Sequence, residues 1–116
     1  MSITLNQRAA KYMGWKWTPN APDESLDFYG RVMIPTGVLD DAALVRDRAI
    51  EVCGFLPYLE HLHAIVRGIP GEPCAAYFIL HHQLTCEGVA HSLFLATPAQ
   101  ITEAAVRCLE AHKEKR

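Results

Sequence analysis

Most signatures that announce an activity are missing from this chain. Its four cysteines, Cys53, Cys74, Cys86 and Cys108, form no C-x-x-C pair, so their spacing gives neither a zinc ribbon nor a thioredoxin-like redox site. They read instead as reduced, buried, small apolar residues. Serine is scarce: Ser2, Ser25 and Ser92 are the whole set, and none sits in a G-x-S-x-G elbow. There is no G-x-x-x-x-G-K-[ST] loop, no G-x-G-x-x-G turn and no H-E-x-x-H pair, which removes the common phosphate, dinucleotide and zinc-peptidase readings. An excess of one charge is also lacking. Eleven Lys and Arg against 13 Asp and Glu leave a formal charge of −2, too mild to signal wholesale phosphate neutralisation. No apolar run approaches the roughly 20 residues that span a bilayer, and Met1–Leu5 has neither the basic nor the apolar segment of a secretory signal. The expectation is a cytoplasmic non-enzyme with no cofactor, no metal and no membrane partner.

Half of the 116 residues are apolar, enough for one ordinary core, so residues 1–116 read as one α/β sandwich domain. Leu5, Ala9, Tyr12 and Met13 recur at helical spacing between a capping Thr4 and a terminating Gly14. From Trp15 to Val38, three prolines and two glycines preclude a long regular element, and Phe28–Ile34 is expected to run extended along a sheet edge or over the core. Its aromatics need something to pack on. A second helix is predicted from Asp40 or Asp41 to Gly54, with Ala42, Val45, Ala49, Val52 and Cys53 inward. Three apolar stretches of strand length follow, Tyr58–Arg67, Ala75–Thr85 and Val89–Thr97, joined by short turns that favour an antiparallel meander. Val52–Ile65 also fits a helix broken at Pro57, but the hairpin partner immediately downstream favours the strand. The last helix takes Thr97 as cap and Pro98 as its first residue, with the stripe Ile101, Ala105, Cys108, Leu109 and His112. The predicted class is therefore α+β: a three-stranded antiparallel meander, with a further edge strand, packed with three helices in the order α-(β)-α-β-β-β-α. The second and third strands are apolar on both faces, which points to a homo-oligomer.

The run Leu5-Asn6-Gln7-Arg8-Ala9-Ala10-Lys11-Tyr12-Met13-Gly14-Trp15-Lys16-Trp17 is similar to the opening of small proteins grouped as the phage ABA sandwich domain family. Ala96-Thr97-Pro98 with the helix around Ala104–Glu110 resembles their closing segment, and Ile34-Pro35, Asp40-Asp41 and Ala42-Ala43 resemble the entry to their second helix. The middle strands depart from the family in carrying histidines in place of tryptophan and tyrosine. The resemblance implies an α/β sandwich encoded by a phage or prophage and working in the bacterial cytoplasm. It supplies no catalytic residue. Small phage proteins of this kind act by binding host machinery, including immune components and their nucleotide messengers.

Two residue sets are candidates for chemistry. Five of the six histidines, His61, His63, His81, His82 and His91, fall in the strand region. Hairpins closing symmetrically about their turns would place His61, His63, His81 and His91 on one face, a workable transition-metal geometry. No carboxylate is placed to orient a ligating imidazole, so hydrogen-bonded or interfacial histidines are the favoured reading. The second set is Arg8, Lys11, Trp15, Lys16 and Trp17, cations alternating with flat rings inside 22 residues that hold no acid. Such a set can hold phosphates and stack bases, although Trp15 and Trp17 stapling the first helix to the core is the favoured reading. The function expected from all this is non-enzymatic binding of a host protein or a nucleotide-like ligand. The alternatives are a structural or regulatory phage protein without a small ligand, and a histidine-centred metalloenzyme.

Overall fold

The computed structural model describes residues 4–18, 21–67 and 95–114, and these form an α+β fold with a three-stranded antiparallel sheet and four helices. Helix α1 (Leu5–Met13) begins where the sequence places it because Thr4 and Gln7 cap each other. The Gln7 N–H donates to Thr4 Oγ1 at 3.2 Å, and the Thr4 N–H donates to Gln7 Oε1 at 3.0 Å. It stops at Gly14, whose φ of 74° lets the Trp15 N–H reach back to the Ala10 carbonyl at 2.9 Å. The closing helix α4 (Pro98–Glu114) repeats the device: Gln100 N–H donates to Thr97 Oγ1 at 3.2 Å and Thr97 N–H to Gln100 Oε1 at 2.9 Å. Each such box is worth about 0.5–2 kcal/mol to its helix.

Between α1 and the next helix lies the sheet, β1 (Lys16–Thr18), β2 (Ala21–Leu26) and β3 (Val32–Met33), in sequential order. Trp17 pairs with Ser25 and Ser25 with Met33, so these three share one face. Ser25 and Met33 are buried there. Lys16, Leu26 and Val32 form the opposite row. Thus the proline- and glycine-rich stretch expected to supply one edge strand supplies all of the described sheet.

Helices α2 (Leu39–Cys53) and α3 (Phe55–Arg67) follow with only Gly54 between them, at φ 96°. The predicted strand Tyr58–Arg67 is therefore a helix. Pro57 lies in the first turn of α3, where its missing N–H costs nothing, and so it begins this helix instead of breaking one. The burial of Tyr58 and Leu62 follows the helical period, with Ile65 and Val66 packed half-buried behind them. Ala75–Thr85 lies outside the described residues. So does Val89–Thr97 except for residues 95–97, which hold no strand.

The core gathers α1, α2, α3 and α4 around Ala9, Val45, Ala49, Tyr58, Leu62 and Val106, with Trp15 and Met33 joining from the sheet side. Ala42 and Ala49 of α2 and Ala104 and Ala105 of α4 are fully buried in this core. Cys108 is buried and Cys53 half-buried beside it, its Sγ donating to the Cys108 carbonyl at 3.4 Å. No helix among the described residues is long and apolar enough to cross a membrane.

Candidate interaction site

Residues 34–36 connect β3 to α2, and three separate elements hold them. Asn6 of α1 donates from Nδ2 to Thr36 Oγ1 at 2.8 Å and accepts the Thr36 N–H on Oδ1 at 3.1 Å. Asp41 of α2 accepts the Ile34 N–H on Oδ2 at 2.8 Å, and the fully buried Thr102 of α4 donates to the Pro35 carbonyl at 2.8 Å. Buried polar groups cost free energy unless paired, and here the pairing makes the base of β3 part of the core.

The other end of β3 faces water. There the chain turns over Asp27-Phe28-Tyr29-Gly30-Arg31, and Asp27 braces the turn from within. Its Oδ1 accepts the N–H groups of Tyr29 and Arg31, both at 2.9 Å, and its Oδ2 accepts Arg31 Nε at 2.7 Å. The backbone closes the same loop: Gly30 N–H donates to the Asp27 carbonyl at 3.1 Å and Asp27 N–H to the Arg31 carbonyl at 3.0 Å. Gly30 takes φ 79°, a conformation that favours glycine. Desolvation alone would push the Asp27 carboxyl up, but the Arg31 N–H and guanidinium and the Tyr29 N–H outweigh it and hold the group below its ordinary value of 3.8. The brace is complete above that ordinary value and is lost as pH falls through the lowered one. The same hydrogen bond raises the Arg31 guanidinium above its usual range.

This turn presents two aromatic side chains to solvent. Phe28 is 81% exposed and Tyr29 87%. The tip of the Phe28 ring lies over the end of α1, where a Cβ added to Gly14 would stand 3.4 Å from Phe28 Cζ. The sheet thus absorbs Trp15 but leaves Phe28 and Tyr29 without the packing expected of them.

Beside the turn, a cleft of about 460 Å³ opens between β3 and the start of α2. Val32, Met33, Val38 and Leu44 supply its apolar surface, while Arg31, Asp40 and Asp41 stand around it. Met33 forms the buried floor; the other three apolar residues are each at least 41% exposed.

The residues singled out in the sequence do not assemble into one site. Arg8 is paired through Nε and Nη2 with the Glu110 carboxylate of α4, and that hydrogen bond, ahead of the opposing desolvation, raises its pKa. Trp15 is in the core, Lys11 is exposed on α1, and Lys16 and exposed Trp17 lie on opposite faces of β1. His61 and His63, expected on one strand face, lie on helix α3. Two residues apart on a helix, they diverge around the axis, with His63 buried and His61 half-buried. His81, His82 and His91 lie outside the described residues. Among the described residues no group of three His, Cys, Asp or Glu is placed to hold a metal. The turn that sequence reasoning missed had a signal: Asp at the first and Gly at the fourth position of a four-residue stretch is β-turn chemistry. No protein-family model matches the chain, and neither a curated protein nor a solved structure does.

Proposed function

We propose that this chain is a small phage- or prophage-encoded protein that acts by binding a host protein rather than by catalysis, and that it makes contact through the 27–31 turn. The observation that carries this reading is the pair Phe28 and Tyr29, at 81% and 87% exposure, on a turn whose polar groups are satisfied from within. Large apolar rings held in water are unfavourable for a lone chain, whereas at an interface Tyr and other aromatics supply most of the binding energy. Holding them on an ordered turn lowers the entropy lost on association. The likeness of Leu5–Trp17 and Ala96–Glu110 to the phage ABA sandwich family supports the viral origin. A nucleotide-like ligand has less support, because the cation-and-ring set it would use is divided between an ion pair, the core and two faces of a strand.

The test is affinity capture from a bacterial host extract with the wild-type chain and a Phe28→Ser/Tyr29→Ser double variant as baits. The expected result is a partner retained at least about tenfold better by the wild type, with melting temperatures unchanged within about 2 °C. Capture by the wild type should also fall as the solution is acidified through the range in which Asp27 protonates. Equal retention by both baits, or no partner specific to the wild type, overturns the reading.

A further inference from the structure

We infer that the cleft between β3 and the start of α2 receives an apolar side chain of the protein partner that has a Lys or Arg next to it. This deepens the protein-binding reading above and rests on it. The volume, about 460 Å³, falls within the range of roughly 300–1,000 Å³ typical of clefts that take small ligands, ample for one large side chain. Its walls are apolar and wet: Val32 is 51% exposed, and Val38 and Leu44 are each 41% exposed. Burial of such walls favours an apolar occupant at roughly 25 cal/mol per Å².

The charges around the cleft decide what accompanies that side chain. Arg31 is already neutralised by Asp27, through the 2.7 Å pair that braces the turn. Asp41 uses one oxygen on the Ile34 N–H. Asp40 is exposed and has neither a hydrogen bond nor an ion pair among the described residues. Both carboxylates sit in the first turn of α2, whose positive end offsets about half a charge, so the cleft margin remains negative. An apolar centre with an unopposed carboxylate at its edge selects a cationic neighbour and rejects an acidic one. The segment 34–36, which runs on from the Met33 floor, is tied to α1, α2 and α4, so the cleft has its shape before any partner arrives.

The probe is a set of three capped tetrapeptides, Gly-Leu-Lys-Gly, Gly-Leu-Glu-Gly and Gly-Gly-Lys-Gly, titrated into the isotopically labelled full chain and followed by amide chemical shifts. Gly-Leu-Lys-Gly should give saturable shifts confined to residues 31–44, with a Kd on the order of 1 mM. The other two peptides should bind at least about fivefold more weakly, and raising the salt from about 0.05 to 0.5 M should weaken Gly-Leu-Lys-Gly but not Gly-Leu-Glu-Gly. Asp40→Asn should erase the Lys-over-Glu preference, and Leu44→Ser should weaken both Leu-containing peptides, with each variant's spectrum confirming its fold. Equal binding of the Lys and Glu peptides overturns the inference, as do shifts centred elsewhere or no saturation by about 10 mM. Concentration-dependent dimerisation that Leu44→Ser abolishes would assign the cleft to a second copy of this chain and overturn it as well. If the peptides fail while the Phe28→Ser/Tyr29→Ser variant still loses its host partner, only the cleft assignment falls and the protein-binding reading stands.

Discussion

Asn6 and Asp27 are both short polar side chains that hold a loop by accepting backbone N–H groups, yet the two regions they serve differ in kind. Asn6 is 5% exposed and fastens residues 34–36 into the helical core, where α2 and α4 supply the remaining bonds. Asp27 fastens a turn to itself, and the residues it holds in place, Phe28 and Tyr29, touch little else. In the first region the hydrogen bonds exist to permit burial. In the second they order a surface that meets the helices through the tip of the Phe28 ring over Gly14. Side-chain chemistry alone does not distinguish a polar residue that serves the core from one that serves the surface; what the held segment contacts does.

The strongest way to break this comparison is to cut into both regions and find equal losses. Tyr58→Ala, at a core position only 1% exposed, should cost about 3–5 kcal/mol in chemical denaturation, whereas Tyr29→Ser should cost no more than about 0.5 kcal/mol. Comparable losses would mean that the turn is part of the core. Tyr58→Phe sharpens the point, because Tyr58 Oη is buried without a hydrogen-bond partner among the described residues. Its loss should be neutral or stabilising by up to about 1 kcal/mol. Burial also pushes the Tyr58 phenol up to about 12. The folded chain keeps that proton to higher pH than the unfolded one, so this contribution is complete below pH 10 and is lost as pH rises toward 12. Over that window the wild type should lose about 2–3 kcal/mol more than Tyr58→Phe.

A middle-sized effect belongs to the pinned segment. Asn6→Ala leaves the Thr36 N–H and hydroxyl without their partner and should cost about 1–3 kcal/mol by the same measurement. A cost near zero would show that water replaces Asn6 there and that the two regions are more alike than their geometry suggests. The smallest expected effect is at the clasp between the first and last helices. Arg8 and Glu110 are each about a third exposed, at 34% and 35%, so a double-mutant cycle should give a coupling of only about 0.2–1 kcal/mol, diminishing with salt.

How far the sequence spoke depended on whether a signal was local. The two T-x-x-Q boxes, Thr4 to Gln7 and Thr97 to Gln100, are complete within four residues, and both helices begin where those boxes set them. Gly14 and Gly54 likewise end their helices as expected. An apolar stretch of strand length immediately downstream favours a strand at Tyr58–Arg67, yet the segment is helical, and Pro57, which would break a helix from inside, sits in the first turn of this one. Gly54, at a positive φ, ends α2 immediately before it and so leaves Pro57 near the start of the next helix. The register that grouped the histidines inherited this error, since a period of two and a period of 3.6 send His61 and His63 in different directions. The ligand set near the N-terminus dissolved for a non-local reason: Glu110 lies 102 residues from Arg8, and no spacing rule connects them. The α+β class holds, although the strands expected to carry it do not: Tyr58–Arg67 is helical, and the described sheet occupies the stretch with the most breakers.

A turn that is shaped by its first residue, its glycine and its own backbone places few demands on the two positions between them. Residues 28 and 29 can therefore be exchanged for other side chains with little penalty to folding. On the proposed function, specificity can be altered at this site while the scaffold stays constant. The fully buried alanines of α2 and α4 allow no such latitude.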